Sequence, residues 1–215
     1  MMNNRIVNLT LTGLAMAGAA FPSMASAQDA AGNNREAREA LDTLGACLAS
    51  ARADELGAYL RAPSEGSWYP VTKRRNDEVP CTGLYSVTAS QRAMRGAAAE
   101  GWYLARHADS APASFATAEN AAPSQEEAAA RIIAAEEDER PQVIIDEFAR
   151  CVAATAPTGV DKLLRTPVSS AAENAAIGDL SASFGPCAFE GQKLGFDAET
   201  LRAALAFALA RRVVG

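Results

Sequence analysis

Cys47, Cys81, Cys151 and Cys187 are the residues of this chain whose type most invites chemistry, because a thiol can bridge, ligate a metal or attack a substrate. Their spacing decides among the three. No two lie close enough for a C-x2-C knuckle, and the single histidine, His107, falls outside the segments that hold the cysteines, so a Cys/His metal site lacks its ligands. A thiol or hydroxyl nucleophile needs a base within hydrogen-bond reach. His107 stands alone beside a stretch rich in Ala, Ser and Pro, so neither a Cys–His pair nor a Ser–His–Asp triad is expected. An even number of cysteines in an exported chain reads as two disulfides, with three possible connectivities.

Other candidates are weaker. The segment from Trp68 to Arg75 places Trp68 and Tyr69 ahead of Lys73, Arg74 and Arg75 in an otherwise acidic protein. Aromatic faces there could stack on a sugar or peptide while the cations meet an anionic group. The plainer reading is a drifted loop whose aromatics cover the core. Paired carboxylates could serve glycoside hydrolysis. Asp42 and Asp146, however, fall about 140° from the apolar face of their helix and should be exposed. Glu100 aligns with Phe207 and has no evident partner. Arg61 and Arg165 suit the last turn of a helix, where a cation meets the negative end of the dipole. Arg95 and Arg202 sit beside an apolar stripe and are expected to bond loop carbonyls or a carboxylate of their own unit. There is no G-x-S-x-G elbow, P-loop or G-x-G-x-x-G.

The elements that position these residues come as a tandem repeat. At an offset of 104, Asp42 falls on Asp146, Cys47 on Cys151, Ala49 on Ala153, Leu60 on Leu164, Arg61 on Arg165 and Pro63 on Pro167. The offset drifts to 106 at Cys81/Cys187 and to 107 at Arg95/Arg202. A duplicated unit that once folded alone carries its bridge inside itself, which selects Cys47–Cys81 and Cys151–Cys187.

Each unit reads as an all-α element. Leu41, Leu44 and Leu48 recur at helical steps, as do Ile145, Phe148 and Val152. A second helix is expected to open at the N-cap residues Asp54 and Thr158 and to end before Pro63 and Pro167. A third helix, Ala171–Phe184, is expected only in the second unit, stopped by Gly185-Pro186. The matching segment of the first unit is broken by Gly66 and Pro70. The last helices open at Ser90 and Asp197. Leu201, Leu205, Phe207 and Leu209 cover enough of the second one to bury it, and Gly96 permits close helix contact in the first.

The L-R-x-P steps Leu60–Pro63 and Leu164–Pro167, with Met94-Arg95-Gly96-Ala97 and Leu201-Arg202-Ala203-Ala204, carry one resemblance. The chain resembles uncharacterised exported proteins of alphaproteobacteria with Cys-paired, Ala- and Arg-rich helical repeats. The likeness covers both units and implies no activity.

Residues 1–27 read as a secretory signal peptide: Arg5 is the positive start, Leu9 to Phe21 the apolar core, and Ala25-Ser26-Ala27 the cleavage site. The mature chain would carry 19 Lys+Arg against 26 Asp+Glu, a balance that disfavours nucleic acid as a partner. The expected organisation is a signal peptide over 1–27, helical repeat 1 over 28–107, linker and acidic segment over 108–138, and helical repeat 2 over 139–215. Ala108 to Gln125 reads as flexible linker, and Ser124 with Glu127 as a capping box. The two units are expected to fold separately.

The functional expectation is an exported, non-enzymatic helical repeat protein without cofactor or metal, acting on an unknown protein or cell-envelope component and not integral to the membrane. The alternative is a periplasmic small-molecule or glycan-binding protein, or at further remove a hydrolase, with its site between the repeats.

Overall fold

The computed structural model describes residues 24–62, 81, 89–112, 114–115, 123–189 and 195–214, with side chains from residue 34 onward. Among these residues the secondary structure is helical: α1 (Met24–Ala51), α2 (Ala53–Arg61), α3 (Gln91–Arg106), α4 (Gln125–Ala134), α5 (Arg140–Thr155), α6 (Pro157–Leu164), α7 (Ala171–Leu180), α8 (Phe184–Cys187) and α9 (Ala198–Val213). The principal neighbours are α1 on α3, α3 on α9, and α9 on α5. Helices α3 and α9, the last of each unit, therefore form the middle of the protein, with α1 and α5 outside them.

Small residues let these helices approach. A Cβ added to Gly96 would land on the Cα and Cβ of Ala203, so α3 and α9 meet nearly backbone to backbone. Between α1 and α3 the same holds, because a Cβ on Gly45 would strike the carbonyl of Ala97 and one on Gly101 the carbonyl of Gly45. Leu41 and Leu48 turn inward as their spacing requires, with Leu44 half-buried. Helix α9 is buried on nearly every side, its alanines leaving room for neighbours all round.

Matching positions bend alike. Arg52 (φ −137°, ψ 36°) turns the chain from α1 into α2, and Ala156 (φ −134°, ψ 51°) turns it from α5 into α6. These bends correct the expected N-caps. Asp54 and Thr158 lie one residue inside their helices, and neither helix start has a side-chain cap. The backbone ladder runs through each corner instead, from Arg52 N to Leu48 O and from Leu56 N to Arg52 O in the first, and from Ala156 N to Val152 O in the second. Pro157 removes one further donor from the start of α6. Ser90 and Asp197 do cap α3 and α9, accepting from the backbone N–H of Ala93 and Thr200.

The third helix of the second unit is shorter than expected. Helix α7 ends at Leu180, a 3-10 turn covers Ser181–Ser183, and Gly185-Pro186 lies within α8 rather than stopping it. Proline is tolerated there because the first turn of a helix has no intrahelical use for that N–H. Disulfides join Cys47 to Cys81 and Cys151 to Cys187, with Cα separations of 5.8 and 5.5 Å.

The units do not enclose separate cores. Leu48, Leu56, Tyr59 and Leu60 of the first pack in one apolar cluster with Phe148, Val152, Leu163, Leu205 and Leu209 of the second. The two halves thus share one apolar interior. The stretch between them is also anchored where it is described. Arg165 donates to the carbonyls of His107 (2.6 Å) and Ala108 (3.1 Å), and Phe115 packs on the core. Ser124 and Glu127 form the capping box of α4, which pairs with α5 through Arg131–Glu147 at 2.7 Å. Among the described residues no helix is long and apolar enough to cross a membrane.

Candidate functional site

The most concentrated polar chemistry lies between the halves, around Arg202. This arginine sits one turn into α9, beside Leu201 and Ala203 and facing α3. Its Nε donates to both carboxylate oxygens of Glu100 on α3, at 3.1 and 3.0 Å, and its Nη2 reaches Glu100 Oε1 as well. Nη1 donates to Glu173 Oε1 (3.1 Å) and Thr166 Oγ1 (3.3 Å). Nη2 also meets the carbonyls of Leu164 (3.0 Å) and Thr166 (2.9 Å), where α6 ends. All five N–H groups of the guanidinium are engaged.

Glu173 links a second arginine into the network. It accepts from Arg38 of α1 at 3.0 and 2.6 Å, and from the backbone N–H of Ser169 at 2.8 Å. That last bond holds Ser169 at φ 56°, the left-handed region a serine seldom occupies. Ser170 caps α7 through Glu173 N–H, so one short sequence, Ser170 to Glu173, fixes both the helix start and the carboxylate.

Each carboxylate responds to its own surroundings. Burial pushes Glu100 above its ordinary range, against the pull of Arg202 and with help from Asp42 and Glu173. Burial acts on Glu173 too, but Arg38, Arg202 and the Ser169 N–H outweigh it and hold its pKa low. Asp42, exposed at the edge, is raised by partial burial against the field of Arg202. Arg38, Asp42, Glu100, Glu199 and Arg202 line a cleft of about 330 Å³, open mouth included, alongside apolar Leu41 and Ala97. Glu100 and Arg202, which line it together, already satisfy one another.

Two expectations change here. Glu100 has a partner, and the carboxylate that Arg202 finds belongs partly to the other half of the chain, not only to its own unit. The signals were an acid on the Ala/Gly face of α3 and an arginine amid leucines and alanines in α9. Pairing them required knowing that Gly96 brings the two helices together. Arg38 and Glu173 carried no comparable signal beyond the Ser170-x-x-Glu173 spacing.

A second polar junction joins the halves at the end of α3. Tyr103 donates to Asp161 Oδ1 at 2.6 Å, and Arg165 pairs with the same carboxylate. Burial, with Asp161 alongside, raises the Tyr103 hydroxyl far above its ordinary pKa. His107 packs on the Tyr103 ring at 5.0 Å; burial and the nearby arginines Arg165 and Arg106 push its pKa down. Here the phenol is a fixed donor and the imidazole a packing group.

Asp146 is half-buried rather than exposed. It lies 3.5 Å from Arg92 and accepts from Gln142, and burial raises its pKa. Arg61 ends α2, exposed, and Arg165 closes α6 as expected. The segment Trp68, Tyr69, Lys73, Arg74 and Arg75 lies outside the described residues. No group of His, Cys, Asp and Glu among the described residues could hold a metal ion. Comparison with protein-family models, with curated proteins and with solved structures finds no match.

Proposed function

We infer that the chain is an exported, non-enzymatic helical protein that works through contacts with a protein or another component of the cell envelope. The observation that carries this reading is the saturation of Arg202. The acids and bases that cluster between the halves spend their hydrogen bonds on one another and on helix ends. A general acid or base must have capacity left for a substrate proton. Two closed disulfides and a leader-like residues 1–27 support a place outside the cytoplasm. The acidic balance of the chain supports a partner other than nucleic acid.

The test is chemical cross-linking of the tagged protein in its native envelope, followed by mass spectrometry. This reading expects a reproducible, near-stoichiometric partner absent from a tag-only control. Recovery of the protein alone, in the cytoplasm and with reduced cysteines, contradicts it.

A further inference from the structure

The two halves treat the same arginine differently. Arg95 stands five residues after the cap Ser90, as Arg202 stands five after the cap Asp197. Arg202 is fully partnered. Arg95 lies over the Tyr59 ring at 5.8 Å, and its Nε is buried with no acceptor among the described residues. One turn earlier, Arg92 donates Nη2 to the carbonyl of Gln142 at 3.0 Å, while its Nε and Nη1 are buried and likewise meet no acceptor. Residues three apart on a helix share a face, so these donors belong to one patch of α3.

The residues that surround Arg202 have been exchanged at the matching places. Phe207 takes the position of Glu100, Arg92 that of Glu199, and Gln142 that of Arg38. Phe207 packs on Tyr59 at 5.8 Å, the same ring that Arg95 lies over. Between the halves, Arg38 and Arg202 stand among Asp42, Glu100, Glu173 and Glu199. At the matching place Arg92 lies 3.5 Å from Asp146 of the second half, in a chain that is acidic overall. A buried guanidinium N–H without an acceptor is costly, and the flat, forked guanidinium matches a carboxylate or phosphate better than any other group.

We propose that Arg92 and Arg95 form a binding site for one oxyanion, a carboxylate or phosphate group from outside the chain, which supplies them with the acceptors that Glu100 supplies to Arg202. Both arginines are half-buried rather than sealed, so the anion approaches from the solvent side and the guanidinium groups turn to meet it. The site rests on this geometry and not on the partner reading above, and either stands without the other.

The experiment uses the full mature protein, labelled with nitrogen-15 so that arginine Nε–Hε signals are visible. Potassium phosphate and sodium succinate are titrated separately at constant ionic strength in chloride. Arg92→Lys and Arg95→Lys, each removing one signal, assign the two resonances. Both signals should shift saturably, and Arg92→Gln with Arg95→Gln should weaken binding at least tenfold, while Arg61→Gln leaves it unchanged. Phe207→Glu supplies the missing internal carboxylate and should abolish binding. Vesicles of phosphatidylglycerol, against phosphatidylcholine, separate a lipid headgroup from a free ion: tighter binding to the anionic vesicles assigns the phosphate to lipid, and tighter binding to succinate assigns a carboxylate. If the wild type shows no saturable shift with any probe, or responds equally to chloride, the proposal is overturned. Undiminished binding in a folded double variant overturns it too. Should that variant fail to fold, the wild-type titration decides alone.

Discussion

Arg202 and Glu100 lie 102 residues apart, one on the last helix of each half, and meet as a buried ion pair across the middle of the protein. Both side chains are 5% exposed, which removes water as a substitute partner. Arg202→Ala would leave Glu100 and Glu173 facing a cavity without their shared cation. Breaking one side of such a pair costs about 3–5 kcal/mol. Urea denaturation should show a loss of that size. Replacing Arg202 and Glu100 together by leucine should recover much of it, since an apolar pair of similar volume needs no compensation.

The carboxylates around Arg202 give opposite pH dependences. Glu100 is raised above its unfolded value of 4.5, so its favourable contribution is fully present below pH 4.5 and is lost as pH rises through the higher folded pKa. Glu173 is lowered, so its contribution is present above pH 4.5 and is lost as pH falls through the folded pKa. Glu100→Gln should therefore flatten the gain in stability on acidification from neutral pH toward 4.5. Glu173→Gln should remove part of the loss below 4.5. Stability curves from chemical denaturation across that range check both signs.

Close helix approach makes a sharper steric prediction. Gly96→Ala forces a methyl group into the backbone of Ala203, and overpacking of this kind costs about 1–3 kcal/mol. Gly178, in α7, has nothing within 4 Å of an added Cβ. Gly178→Ala should stabilise by roughly 0.5–1 kcal/mol, because alanine loses less backbone freedom in a helix. Thermal melts of the two variants should move in opposite directions.

Much of this architecture is written in local patterns. Leu41, Leu44 and Leu48 declare a helix face, Ser90 and Asp197 declare helix starts, and the all-α class follows from them. Asp54 and Thr158 are of cap-forming type but do not cap their helices, because the chain turns at Arg52 and Ala156 without leaving its hydrogen-bond ladder. No local rule marks a corner that needs no cap. The polar site was harder still. Arg38, Glu100, Glu173 and Arg202 are scattered over four helices, and only the approach of α3 to α9 at Gly96 and Ala203 gathers them. The aromatic and basic segment from Trp68 to Arg75 lies outside the described residues, so its role stays with the sequence.

Each disulfide ties a first helix to the segment preceding the last, across 34 and 36 residues. Loop-closure entropy values such a link at about 3–4 kcal/mol. Reduction should lower the melting temperature markedly, and replacing either pair by serine should have about half the effect of replacing both. Peptide mapping without reductant should recover Cys47 with Cys81 and Cys151 with Cys187.

Arg38 to Glu173, Glu100 to Arg202, Tyr103 to Asp161 and Arg92 to Asp146 are among the polar contacts that cross between the halves, over a single apolar cluster. The most direct test is to express residues 28–107 and 139–215 as separate, oxidised fragments and follow each by near-ultraviolet circular dichroism and thermal melting. Neither fragment alone should melt cooperatively, and mixing the two should restore a cooperative transition. Native-like, cooperative melting of either fragment by itself contradicts a shared core and returns the protein to two independent units.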